Sequence, residues 1–377
     1  MAHAQLLRRL FQAGVFLLPL ICWPGLDHPF STPKIWLVGA LDAVAVSRCL
    51  LERGTFAFAW QWLVWPAAIA LSASLAPYAS LPALVLAVLP LPLAWAASQD
   101  ASISDTLQPA LLAGSLVESG LVVMQFCALD PFRAFGWHPE AFASPRMRMY
   151  GTLGNPDFVA AWLCATLPLW AGGVGKDRRA VWAGIALQLA AIIATGSRVF
   201  LLTLPVAVTV LLVRGGRLKK WWLGALVAAA ALVWFSPARP LGATIQGRLY
   251  LDRVTASHLL AVPPAGFGAG SFPIEFARWQ VEWLRRHPGE ATALQLAGPV
   301  DHAHDDLLEF WVDYGPLGLC AFLGLSAFLI SRFRRTHAPN PGAWSSTASL
   351  LAVALVDFPL HRPAEWSLYW LFLALLG

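Results

Sequence analysis

Apolar runs close to the thickness of a bilayer recur along nearly the whole chain, and no other feature restricts its fold as strongly. They lie near 10–24, 34–50, 57–76, 80–97, 107–127, 157–175, 179–196, 198–213, 220–236, 306–331, 345–358 and 363–376. A helix needs roughly 20 apolar residues to cross, somewhat fewer where flanking polar residues snorkel. The composition of the 377 residues, 58% hydrophobic and only 12% charged, points the same way. The expectation is an all-α polytopic membrane protein with about 12 transmembrane helices. The first run follows Arg8 and Arg9 like a secretory leader, but Trp23, Pro24 and Gly25 offer no small-x-small cleavage site, so it reads as a retained anchor. The five cysteines fall in or beside apolar runs without a CxxC pair, which supports neither a disulfide framework nor a zinc ribbon.

Basic residues in short connections set orientation. With every run counted as a crossing, Arg8, Arg9, Arg48, Arg53, Lys176, Arg178, Arg179, Arg214, Arg217, Lys219, Lys220, Arg332, Arg334 and Arg335 fall on one side, while Lys34, Arg198 and Arg362 fall on the other. Both termini are therefore expected in the cytoplasm. This divides the chain into transmembrane helices 1–5 (1–127), an outer loop (128–156), helices 6–9 (157–236), a long outer loop (237–305) and helices 10–12 (306–377). The polar motifs then gather on the outer face. No basic nucleic-acid face is visible, so no nucleic-acid partner is expected.

GTLGNPDF (151–158) opens an apolar run. Asn155 suits an N-cap, Pro156 the first turn and Asp157 the positive end of the helix dipole. Capping explains these residues, and a cap that also lines a polar cavity is the alternative. ATGSRVF (194–200) interrupts a long apolar stretch. Arg198 there either snorkels from a hairpin tip or binds an anion beside Thr195 and Ser197. Between 237 and 305 come QGRLYLDR with Arg248, the glycine-rich GFGAGSF, and a stretch with Phe272, Phe276, Trp279 and Trp283 on one stripe. That stripe predicts an amphipathic helix. The glycines suit close backbone approach better than a nucleotide loop.

HAHDDLLEFWVDYGPLG (302–318) holds the densest titratable cluster. Asp305 or Asp306 can cap the following helix with Glu309 in its first turn. His302, His304, Asp305 and Asp306 are also competent metal ligands, although an HxH pair needs help from another element. A histidine could equally serve as general base, oriented by Asp305 or Asp306. VDFPLHRP (356–363) adds Asp357, His361 and Arg362 at a helix break.

Taken in order, GTLGNPDF, TGSR, GRLYLDR, GFGAGSF, HAHDDLLEFWVDYGPLG and DFPLHRP resemble the bacterial O-antigen ligase and O-antigen polymerase (Wzy-type) family over residues 145 to 365. The resemblance implies a GT-C-type glycosyltransferase of the bacterial inner membrane, working on its periplasmic face. It implies transfer of a glycan from undecaprenyl pyrophosphate to an acceptor glycan or glycolipid, inverting, without metal or other cofactor. Arg198 and Arg248 would then hold pyrophosphate and His304 would activate the acceptor, with His302 and Asp305 beside it. Asn155, Ser197, Asp306 and His361 are candidate supporting residues. Asp305 departs from the asparagine usual in the family, which bears on acceptor activation. A polytopic transporter or flippase of an anionic or lipid-linked substrate is the alternative from another class.

Overall fold

A computed structural model describes residues 2–53, 59–99, 101–136, 149–172, 177–216, 243–336 and 340–376. Every regular element among them is helical. In chain order the α-helices are α1 (Ala2–Leu17), α2 (Thr32–Arg53), α3 (Val64–Leu75), α4 (Leu81–Val88), α5 (Leu91–Gln99), α6 (Ala101–Phe126), α7 (Pro156–Thr166) and α8 (Arg178–Ala194). Then follow α9 (Val199–Arg214), α10 (Ala243–Ala256), α11 (Phe272–Arg286), α12 (Ala291–Leu296), α13 (Asp306–Thr336), α14 (Pro341–Ala354) and α15 (Pro363–Ala374).

Local chemistry accounts for several boundaries. The Asn155 side chain accepts the Asp157 N–H at 2.9 Å and Pro156 begins α7. Asp177 caps α8, and Asn340 caps α14 ahead of Pro341. Each removes an orphan donor from a helix start. Within α13, Gly315 leaves the helical region at φ 69° and is followed by Pro316, so two helical pieces meet at a break.

The expectation of twelve transmembrane helices in a GT-C-type arrangement is corrected here. Among the described residues three helices are long and apolar enough to cross a membrane: Leu81–Ser98, Thr106–Phe126 and Asp306–Arg332. The apolar runs were longer than the helices inside them. Run 157–175 resolves into the 11-residue α7 and a 3-10 turn around Pro168. Run 345–358 ends its helix at Ala354, and α15 has only 12 residues. Helices this short rise well under the ~30 Å of a hydrocarbon core. The run at 220–236 lies outside the described residues.

The apolar residues have another use. Every residue of α15 is buried, including Trp366, Trp370 and Phe372. A helix surrounded by protein is hydrophobic on all sides, and composition alone does not distinguish it from one surrounded by lipid. Around α15 an aromatic cluster of Trp65, Phe310, Tyr314, Phe322, Trp366, Tyr369 and Trp370 packs at 5–6 Å centroid spacing from Phe310 outward, including Trp65–Phe310 at 5.5 Å and Trp366–Trp370 at 5.2 Å.

A second, smaller core joins the helices of the 243–312 stretch. Phe272, Phe276 and Trp279 are buried there against Tyr250, Leu251 and Val254 of α10, with Trp283 packed at the margin. The aromatic stripe of α11 is thus spent on protein contacts. The glycine-rich turn ties this unit to the main core. Gly266, Gly268 and Gly270 all have positive φ, and a Cβ on Gly268 would stand 1.6 Å from the Tyr78 carbonyl oxygen. Only glycine permits that approach. It lets Phe267 and Gly268 donate to the carbonyls of Val312 and Asp313, each at 2.9 Å.

Candidate functional site

Four motifs distant in sequence meet at one end of the main core. Asp157, in the first turn of α7, accepts a hydrogen bond from Ser197 of TGSR. Phe158 packs edge-on against Phe358 at 5.5 Å, and the Arg362 guanidinium lies 3.9 Å over the Phe158 ring. Phe358 in turn stacks on His302 at 4.1 Å and meets His304 edge-on at 5.1 Å. The Phe358 ring therefore stands between two groups of titratable side chains.

On the outer side, His304 Nδ1 lies 3.2 Å from Asp357 Oδ1. Asp357 is 1% exposed, and its other oxygen accepts from Arg362 Nη1 at 3.2 Å. Arg362 also faces Glu365 at 3.3 Å. Burial by itself would raise the Asp357 carboxyl. Arg362, the hydrogen bond from His304 and nearby Arg248 outweigh it and hold the group below its ordinary value. Arg248 donates to the Val356 carbonyl, next to Asp357. His304 is about a third exposed and has φ +56°. A non-glycine residue in this region carries backbone strain, which persists only where the surroundings impose it.

On the inner side, α13 presents Asp306, Glu309 and Asp313, all buried. Asp306 accepts from His361 Nδ1 at 2.5 Å and from the Leu360 N–H at 2.9 Å. Glu309 Oε1 pairs with His302 Nδ1 at 2.8 Å, and its Oε2 accepts the Ala303 N–H. Asp313 accepts the N–H groups of Gly270, Ser271 and Phe272 and the Ser271 hydroxyl, so it pins the start of α11. Burial would lower the His361 imidazole, but Glu309, Asp306 and Asp313 together push it up to about 9. Glu309, Asp313, His302 and His361 line a cavity of about 160 Å³ together with Trp65, Leu86, Ala87 and Trp366.

The sequence-predicted residues fall out as follows. His302, His304, Asp306 and His361 come together around Phe358. Asp305 caps α13, accepting from the Leu307 and Leu308 N–H groups at 2.9 and 3.0 Å, while Asp357 supplies the carboxylate to His304. Arg248 reaches the same turn. Arg198 is exposed at the start of α9, and Ser197 and Asn155 lie at the adjoining helix starts. Asp357, Arg362, Glu309 and Asp313 were not among the predicted site residues. A signal for two of them existed: 306, 309 and 313 follow i, i+3, i+7 spacing, one face of an otherwise apolar helix.

No family model matches the chain, and no curated protein matches it. The resemblance to O-antigen ligases and polymerases is therefore corrected: six short motifs in order, without a family-wide match, do not establish membership. The assignment as a lipid-linked oligosaccharide glycosyltransferase falls with it. So do the undecaprenyl-pyrophosphate donor, the acceptor glycan and the bilayer as partners, since each was implied by the resemblance or by the twelve spans. The multi-pass inner-membrane placement, with a periplasmic site, counted each apolar run as a crossing, and three candidate helices do not reproduce that alternation. The transporter or flippase alternative rested on the same twelve spans and is corrected with them.

Proposed function

We propose that the His304–Asp357–Arg362 array is an acid–base site that activates water for hydrolysis of a small anionic substrate. The observation that carries this reading is His304 itself: an imidazole about a third exposed, in a strained backbone conformation, backed by a buried carboxylate that a buried guanidinium anchors. An Nδ1–H given to Asp357 leaves Nε2 as the proton acceptor, and the carboxylate stabilises the imidazolium that forms. Arg248 and exposed Arg198 supply positive charge for the substrate's anionic group. His302, Asp305, Asp306 and His361 hold the turn that aims His304, and Asn155 and Ser197 support the neighbouring helix starts.

The test is hydrolysis of p-nitrophenyl phosphate by the full chain. Removing a general base costs roughly 10²–10⁴-fold in rate. A drop of about that size is expected in His304→Ala, and a smaller one in Asp357→Asn, with circular dichroism unchanged. No turnover by the parent chain, or parental turnover in His304→Ala, overturns the reading.

A further inference from the structure

Three carboxylates on one buried face of α13 are more negative charge than the inner cluster balances. Asp306, Glu309 and Asp313 are each no more than 2% exposed. His361 faces them, with Nδ1 on Asp306 and Nε2 toward Glu309, and an ion at Nε2 would take the place of the ring proton there. Buried charge without compensation is costly, and a divalent ion supplies compensation in a single atom. We propose that Glu309, Asp313 and His361 form a binding site for one first-row divalent cation, zinc or manganese(II), at the wall of the 160 Å³ cavity.

The geometry supports this in four ways. One ligand atom from each residue can be chosen so that all lie within 4.8 Å of one another. Ligands held 2.0–2.2 Å from a tetrahedral ion stand about 3.4 Å apart, and His361 Nε2 already lies 3.5 Å from Glu309 Oε1. Next, His361 has its Nδ1 committed to Asp306, which directs Nε2 at the site. That is the carboxylate–histidine arrangement that orients metal-bound imidazoles. Third, Nε2 is buried and makes no hydrogen bond to any described residue. Fourth, Asp313 concentrates its hydrogen bonds on Oδ1, whereas Oδ2 accepts only the Gly270 N–H among the described residues and keeps a lone pair.

One imidazole and two carboxylates form a donor set of intermediate hardness, which suits zinc and manganese better than calcium or copper(I). Three protein ligands leave a coordination position open toward the cavity, where water or a polar ligand would sit. The apolar wall of Trp65, Leu86 and Trp366 limits competing water and strengthens the electrostatics.

The claim is separate from the hydrolytic reading, and the experiment keeps them apart. The full chain, stripped with chelator and dialysed, is titrated calorimetrically with zinc chloride and manganese chloride. Cobalt(II) is then added for visible absorption. One equivalent should bind, and cobalt should give d–d bands of a low-symmetry site containing nitrogen. Glu309→Gln and His361→Ala should each weaken binding by roughly 100-fold or more. Asp306→Asn, which touches the ion only through His361, should weaken it about tenfold to a hundredfold. His304→Ala and the exposed His287→Ala should bind as the parent does. No uptake by the folded parent chain overturns the proposal. So does uptake indifferent to Glu309→Gln and His361→Ala. If either variant fails to fold, the cobalt spectrum of the parent decides: bands lacking a nitrogen ligand refute the site.

Discussion

The two sides of Phe358 use the same chemical unit, an imidazole hydrogen-bonded to a carboxylate, and place it in opposite surroundings. His304–Asp357 opens to solvent and carries an arginine behind it. His361–Asp306 lies in the interior and carries two further carboxylates beside it. On the outer side the cation behind the carboxylate keeps it ionised, and the imidazole in front of it meets solvent. Inside, the excess of carboxylates holds positive charge in place. Surroundings therefore divide one motif into a solvent-facing pair and a charge-trapping one.

Four substitutions would break or sharpen that contrast. The largest effect is expected on the inner side. Asp313→Ala leaves four donors at the start of α11 without their acceptor at once, three of them backbone N–H groups. Leaving such a buried network unpaired costs on the order of 3–5 kcal/mol, to be read as a lowered denaturation midpoint. If stability is unchanged, Asp313 is not the tie between the glycine turn and α13.

Phe358→Ala removes the ring that contacts Phe158, His302 and His304. A cost of about 2–4 kcal/mol is expected for an aromatic ring that is only partly buried. Two-dimensional NMR of the histidine rings should show His302 and His304 shifting together. A shift confined to His302 would mean that Phe358 does not couple the two sides.

Loss of the helix cap in Asp305→Ala should cost ~1 kcal/mol, with a far smaller loss of turnover than in His304→Ala, since Asp305 acts only through the turn it holds. An equal loss of turnover would give Asp305 a chemical role beyond capping α13.

The smallest effect concerns pH. Asp357 has a folded value below its ordinary one, so its stabilisation is present above about pH 4 and fades as pH falls through the folded value. In Asp357→Asn the stability profile should be flatter below pH 4 than that of the parent. Equal slopes would show that Asp357 gains nothing from Arg362.

Some of this was legible in sequence. Asn155 before Pro156, and aspartate just ahead of an apolar run at 305, are local capping signals, and the helices begin there. The phenylalanine–tryptophan stripe read as one helix face, and α11 buries it. The glycine triplet signalled close backbone approach, and Gly268 meets Tyr78 in that way. All of these depend on residues within a few positions of one another, where backbone geometry leaves little choice.

What the apolar runs become was not legible. A leucine- and tryptophan-rich stretch is equally apolar whether lipid or protein surrounds it. The turn at Pro168 and the end of α14 at Ala354 shorten helices whose flanking residues stay hydrophobic. Nor was the pairing of histidines with carboxylates. His304 takes Asp357 across 53 positions, in preference to Asp305 next to it, and His361 takes Asp306 across 55.

The chain by itself determined that the protein is helical, where several helices start, and that titratable residues collect near 302–313 and 357–365. Tertiary structure decided how the apolar stretches divide among packed helices and which side of Phe358 each imidazole occupies. Helix starts answer to hydrogen bonds between near neighbours, whereas burial and ion pairing depend on which distant surfaces meet, and only the folded chain brings those surfaces together.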